Sequence, residues 1–333
     1  MKLCKPIGER KIIEIIQKNL TLMPQMPIHF GDDVSAYEIS KDKLAILKTD
    51  MLVDKTDVPP HMTHWQAARK AIVMNVSDFA AKGVKPLAIL VSLGLPRNIT
   101  AKNIEDIGKG LNAGAREYDT YVIGGDTGEA SDTVISLSVF GIAENGRVML
   151  RSGARPGDLV AVTGLFGKAP AGLKILLGEY EATGKTRETL VKSVLMPQAR
   201  LKEGLALGHT KTVTASIDSS DGLAWSLHEI ARASNVGFLV ENLPIAEEAR
   251  EFAETNKLDL PKLVLHGGEE YELILTINPK LWNRAREAIG EIGGSLFAIG
   301  KVTAEKRILL KTPEGKRVIE PEGWEHFKSD PTR

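Results

Sequence analysis

The stretch over residues 120–143 constrains the fold most. Two apolar runs, TYVIGGDTG and TVISLSVFGIA, stand four residues apart, with room for a polar turn but not for a crossover connection of roughly a dozen residues. Strands that follow one another directly, mixed with helices, mark an α+β layer rather than a doubly wound sheet. The helices are read from spacing. Ile12, Ile13, Ile15 and Ile16 lie among charges over residues 8–19 and predict a short amphipathic helix. Ala68, Ala71, Ile72 and Asn75 predict a second helix over 64–75, closing at NVSDFAAKGVKP, so that Asp78 follows it. Ile104, Ile107, Leu111 and Ala115 predict a third, ending near Tyr118. KLAILKTDMLV and LAILVSLGLP read as strands, the first interrupted at Asp50.

Residues 144–158, ENGRVMLRSGARPGD, combine turn formers with charges and mark a boundary between an N-terminal unit, 1–147, and a C-terminal unit, 148–333. A chain of 333 residues is long for one core and suits two domains. Beyond the boundary, LVAVTG reads as a strand and PAGLKILLGEY as a helix. TVTASIDSSDGLAWSLHEIARASNVGFLVE follows as strand, turn, helix and strand, with Gly237 as a left-handed cap. EEYELILTI and LFAIGKVT predict strands around a helix over 282–289. The expected architecture is an N-terminal α+β domain joined to a C-terminal α/β domain.

Lys plus Arg and Asp plus Glu number 43 each, so no net field draws the chain to nucleic acid or an anionic membrane, and small molecules are the expected partners. The single cysteine, Cys4, permits neither an internal disulfide nor a cysteine-based zinc site and fits a reducing cytoplasm. The amino terminus meets charges before a signal peptide could form, and no apolar run approaches the roughly 18 residues of a membrane span.

The carboxylates carry the chemistry. Asp32 and Asp33 follow Gly31, Asp126 follows Gly124 and Gly125, and Asp218 and Asp221 flank two serines between a strand and a helix. Any one of them is an ordinary turn former or helix cap. Taken with Asp50 and Asp78, they are expected to gather where strands end. Two such charges about 4 Å apart repel by roughly 4 kcal/mol at an effective dielectric of 20, so a cluster calls for cations. Oxygen ligands select hard ions, chiefly magnesium, which usually arrives with phosphate. GEYEATGKT ends like a phosphate-binding loop but has five residues between its glycines where four are required, and it reads as an exposed linker.

GDDVSA, KTDMLVD, NVSDFAAKGVKP, IGGDTGE, LRSGARPGD, IDSSDGLAWSL, HGGEEYEL and EGWEHF occur in that order along the chain. Their order and spacing resemble the thiamine-monophosphate kinase family, of the aminoimidazole-ribonucleotide-synthetase-like superfamily. The resemblance implies transfer of the ATP γ-phosphoryl group to thiamine monophosphate, and a homodimer whose N-terminal sheets pair. It implies magnesium ligands at Asp33, Asp50, Asp78, Asp126, Asp218 and Asp221, with Thr49 assisting. ATP contacts are implied at Gly125, Asp126, Arg151 and Ser220. The guanidinium of Arg151 is also suited by its own geometry to fork onto phosphate, with Asp158 as the alternative surface partner. Asp57, Glu269 and Trp324 would meet the thiamine side, the indole of Trp324 against a cationic ring. Two positions depart from the family pattern: Asp57 stands where His is frequent, and Lys48 where Ser or Thr is frequent. Neither is expected to touch the six aspartates. The nearest rival is another ATP-dependent synthetase of the superfamily, of the formylglycinamidine-ribonucleotide type.

Overall fold

The computed structural model describes residues 8–178 and 180–327; Cys4 and the terminal SDPTR lie outside them. The first half contains α1 (Glu9–Gln17), β1 (Ser35–Ser40), β2 (Lys43–Val53), α2 (Asp54–Asp57), α3 (His64–Lys82), β3 (Pro86–Leu95), α4 (Ala101–Glu117), β4 (Val122–Glu129) and β5 (Val134–Glu144). The second contains β6 (Leu159–Val162), α5 (Lys168–Leu176), α6 (Gly184–Leu195), α7 (Leu201–Thr210), β7 (Val213–Asp218), α8 (Leu223–Ser234) and β8 (Gly237–Val240). It continues with α9 (Glu247–Asn256), α10 (Leu260–His266), β9 (Leu273–Ile277), α11 (Trp282–Glu291), β10 (Phe297–Thr303), β11 (Ile308–Thr312) and β12 (Gly315–Val318).

The strands form a five-stranded sheet, ordered β1-β2-β5-β3-β4, and a seven-stranded one, ordered β12-β11-β8-β10-β6-β9-β7. Both mix pairings: β4 runs parallel to β3, and β11 parallel to β8, while their other ladders are antiparallel. β4 and β5 are neighbours in sequence but not in space, because β3 lies between them.

Several local expectations are corrected. Asp50 does not interrupt β2, which pairs with β5 residue for residue from Lys43↔Glu144 to Val53↔Val134; a ladder joins backbones and tolerates a carboxylate on the side chain. Likewise β4 runs through Gly124, Gly125 and Asp126. Asp78 lies inside α3, because Val76, Phe79, Ala80 and Ala81 carry the buried surface onward to Lys82. That helix opens on a Thr63–Gln66 capping box and stops at Gly83, whose φ of 65° is left-handed. Asn235 rather than Gly237 caps α8, at φ 57°, and Gly237 begins β8. Part of the expected GEYEATGKT linker is helical, since α6 starts at Gly184.

Helix α3 packs against β2 and β5 of the first sheet and against β7 of the second. The apolar core around it includes Ile46, Ile89 and Leu137 from one sheet and Leu273, Leu275 and Ile277 from the other. Helix α7 comes so close that a Cβ on Gly204 would lie 2.0 Å from the Ala80 carbonyl oxygen.

Candidate active site

Although α3 is buried on nearly every side, Lys70, Ser77, Asp78 and Lys82 are among its buried residues. Removing the partner of a buried charge costs several kcal/mol, and each of these groups has one. Lys70 Nζ lies 2.5 Å from Glu269 Oε1 and donates to the Asp57 carbonyl at 2.9 Å. Ser77 Oγ donates to Asp218 Oδ2 at 2.6 Å. The Lys48 ammonium sits 2.8 Å from Asp78 Oδ2 and 3.9 Å from Asp50 Oδ2. Lys82 Nζ reaches Asp32 Oδ1 at 2.6 Å, Asp33 Oδ2 at 2.7 Å and the Ser216 carbonyl at 3.0 Å. The helix is a polar spine joining the two sheets.

Arg151 closes the far side of Asp33. Its Nε donates to Asp33 Oδ1 at 2.7 Å, Nη2 to the same oxygen, and Nη1 to the Gly31 carbonyl at 2.8 Å. Its backbone N–H donates to Asp32 Oδ2 at 3.0 Å. The fork expected on phosphate is thus turned onto a carboxylate here. Asp158, the alternative partner, instead accepts from the Arg155 N–H and the Thr214 hydroxyl.

Asp33, Asp78 and Asp218 each bring one carboxylate oxygen within 4.8 Å of the others. Burial pushes the Asp218 carboxyl up to about 6, with Asp33 adding to the rise. Burial also lifts Asp78 well above the usual carboxylate range, with Lys48 opposing and Asp218, Asp33 and Asp50 adding. At Asp33 burial works in the same direction, but Lys82 and Arg151 outweigh it and hold the carboxyl below its ordinary value. Asp32, Asp33, Asp50, Asp78 and Asp218 face Lys48, Lys82 and Arg151, so full ionisation leaves negative charge in excess. An all-oxygen donor set with surplus negative charge fits a hard divalent cation such as magnesium.

The loop after β7 meets the HGGEEYEL loop through three backbone bonds, Glu269 N–H to the Ser220 carbonyl at 2.7 Å, Tyr271 N–H to the Ser219 carbonyl at 3.0 Å and Ser219 N–H to the Glu272 carbonyl at 2.9 Å. Glu269 and Tyr271 both hold left-handed backbone, at φ 64° and 53°, a conformation that costs non-glycine residues about 1–3 kcal/mol each. Trp324 joins by donating its N–H to the Asp221 carbonyl at 3.0 Å. Partial burial raises the Asp221 carboxyl to about 7, with Arg10 opposing. Beside these loops opens a cavity of about 430 Å³ lined by Asp57, Pro59, Pro170, Glu269 and Trp324, among others. The three residues expected on the thiamine side share that cavity. The Asp57 carboxylate is partly committed: it accepts from the Val53 N–H at 2.7 Å and lies 3.8 Å from His326 Nε2.

Asp126, Gly125 and Thr49 stand apart. Asp50, Leu137, Val91 and Gly125 form one row across the sheet, which separates Asp50 from Gly125 by three strand spacings, roughly 14 Å. Met51, Ser136, Ser92 and Asp126 form the next row, so Asp126 shares the face of Met51 and Thr49, opposite Asp50 and α3. Within one chain the expected gathering is therefore partial. On that open face Tyr37, Leu47, Met51, Leu90 and Ile142 remain 42–57% exposed. The Thr49 hydroxyl donates to the Leu137 carbonyl at 2.8 Å.

Sequence reading missed Lys70, Ser77, Lys82 and Arg10, and it expected Lys48 to leave the aspartates alone. Lys82 looks like an ordinary basic residue complementing a helix C-terminus. Arg10, which pairs with Glu325 at 2.6 Å and lies over the Trp225 ring, looks like one charge on an amphipathic helix. A lysine between apolar residues and the TD pair was the one signal available for Lys48.

Two family models match: AIR synthase related protein, N-terminal domain, over residues 31–143, and AIR synthase related protein, C-terminal domain, over 155–311. The fold is that of this class. Among individual relatives, a thiamine-monophosphate kinase of Nitrosopumilus maritimus is 36% identical over 97% of this chain and 99% of its own length. One from Pyrococcus horikoshii is 38% identical over 90% of this chain and 91% of its own. The solved structure of AaThiL complexed with AMPPCP and TMP superposes with a TM-score of 0.85, at 30% identity over 98% of this chain and 99% of that one. The chain belongs to the thiamine-monophosphate kinase family.

Proposed function

We propose that this chain phosphorylates thiamine monophosphate with ATP, yielding thiamine diphosphate and ADP. The observation that carries the reading is the junction of the two halves of the site. The Ser220 and Asp221 carbonyls of the acidic loop bond the Glu269 and Trp324 N–H groups of the cavity, so an acceptor in the cavity would end beside the acidic cluster. Asp33, Asp50, Asp78, Asp218 and Asp221 would hold magnesium, with Ser220 and Arg151 toward the triphosphate, and Asp57, Glu269 and Trp324 toward the acceptor. Bound ions would neutralise the repulsion between two phosphate groups and brace the group in flight. No protein base is required, because a phosphate monoester with its second ionisation near pH 6 already presents a deprotonated oxygen at neutral pH. The chain's own work is to fix both phosphates in line and to exclude water, and no covalent phosphoenzyme forms.

The proposed assembly is a homodimer joined through the open apolar face, in the cytoplasm, with 1–147 serving nucleotide binding and dimerisation and 148–333 completing the acceptor pocket. Gly125, Asp126 and Thr49 lie on or beside that face, which gives them a route to the nucleotide at a subunit contact. Phosphorus NMR of the purified protein with ATP, magnesium and thiamine monophosphate tests the reading: a new diphosphate signal supports it, and ATP binding without turnover rejects it in favour of a nucleotide sensor.

A further inference from the structure

Lys48 is an unusual guest in a cluster of carboxylates meant for divalent ions. Its Nζ lies 2.8 Å from Asp78 Oδ2 and 3.9 Å from Asp50 Oδ2, and its side chain keeps only 20% of its surface exposed. A lysine ammonium is charged at neutral pH, and these two carboxylates are its counter-charges. The contact is also structural. Lys48 and Asp50 belong to β2 and Asp78 to α3, so the ammonium ties the sheet to the spine helix where Asp78 has no other cation within ion-pair distance among the described residues. A primary ammonium and a hydrated divalent ion seek the same carboxylate lone pairs, and both cannot occupy one position.

We propose that Lys48 is a resident cation of this site, holding Asp50 and Asp78 together in the metal-free chain and standing in for one divalent ion. The inference rests on the phosphotransferase reading only for the premise that divalent ions enter this cluster. It follows that the chain keeps its fold at the cluster without metal, and that a chain with a hydroxyl at position 48 takes up one more ion.

The test compares wild type, Lys48→Arg, Lys48→Ser and Lys48→Met by thermal melting without nucleotide, in EDTA and in excess magnesium, and by counting bound Mn²⁺ from the free-ion signal in electron paramagnetic resonance. Wild type and Lys48→Arg are expected to melt nearly alike in both media. Lys48→Met and Lys48→Ser are expected to melt several degrees lower in EDTA, to recover with magnesium, and Lys48→Ser to bind one Mn²⁺ more per chain. Adding Asp78→Asn to Lys48→Met should restore melting in EDTA, because the orphaned carboxylate is gone. Equal melting of wild type and Lys48→Met in EDTA, or a loss in Lys48→Met that magnesium does not repair together with an unchanged Mn²⁺ count in Lys48→Ser, overturns the proposal. Neither readout needs thiamine monophosphate, so a failed kinase assay and a failed Lys48 test are separate results.

Discussion

Asp221 stands just before Gly222, the N-cap of α8, keeps 40% of its side-chain surface exposed and has Arg10 Nη2 at 3.9 Å. An anion there faces the positive end of the helix and remains open to an arriving ion. Replacing it by asparagine removes the charge and keeps the shape. The expected result for Asp221→Asn is a fall in ADP release of about 10²-fold or more at saturating magnesium, with an unchanged far-ultraviolet circular dichroism spectrum; near-normal turnover would contradict the metal role. Glu270 offers a test free of metal. Burial pushes its carboxyl up to about 7, against the Gly167 and Ala169 N–H groups that bond it at the start of α5. An acid that holds its proton more tightly when folded stabilises the fold fully below its unfolded value, and that contribution fades as pH rises through about 7. Stability should therefore decline between about pH 4.5 and 7 by an amount on the order of 3 kcal/mol from this group. Glu270→Gln should flatten that part of a melting-temperature profile. Asp218 and Asp221 were legible as site candidates because two acids and two serines crowd one turn. Lys82 was not, because nothing local marks a helix-terminal lysine as buried.

Among the elements, α3 shows why burial on all sides defeats periodicity. A half-exposed helix writes an apolar stripe, as α4 does, and its expected end near Tyr118 agrees with the observed Ala101–Glu117. Helix α3 has no such stripe. Its polar residues are buried on partners from other elements, so the reading stopped at Asn75 while the helix continues to Lys82. Its fit against α7 is tight: Gly204→Ala would drive a Cβ to 2.0 Å from the Ala80 carbonyl oxygen. The expected cost is about 1–3 kcal/mol, or more because backbone must move, read from urea denaturation. Gly125 has a similar constraint, since a Cβ there would meet the Val91 carbonyl oxygen at 1.9 Å. Gly125→Ala should therefore loosen β4 from β3, seen as faster amide exchange along β4, whether or not it also weakens ATP.

For the whole molecule, the open face of the five-stranded sheet is the largest unresolved demand. Its exposed apolar side chains form a patch of the kind that marks an interaction surface. Sedimentation equilibrium should give twice the chain mass, and Leu90→Glu, at a site now 49% exposed, should shift the protein toward monomer and lower activity with it. If Asp126 serves a site completed by a second copy, mixing Asp126→Asn and Asp218→Asn chains should recover activity that neither has alone; no recovery in proven mixed dimers would place Asp126 with its own chain's site. The linear order of residues determined most of the strands and the amphipathic helices α1, α4 and α11, and it marked acidic loops suited to hard cations, because local propensity, periodicity and ligand type are properties of neighbours in the chain. Tertiary structure alone decided that Lys48, Lys82 and Arg151 neutralise much of that acidity, that Asp57, Glu269 and Trp324 share one cavity, and that the sheet divides Asp50 from Asp126. Those outcomes depend on strand order and on which face each side chain takes, and neither is set until the sheets have paired around α3.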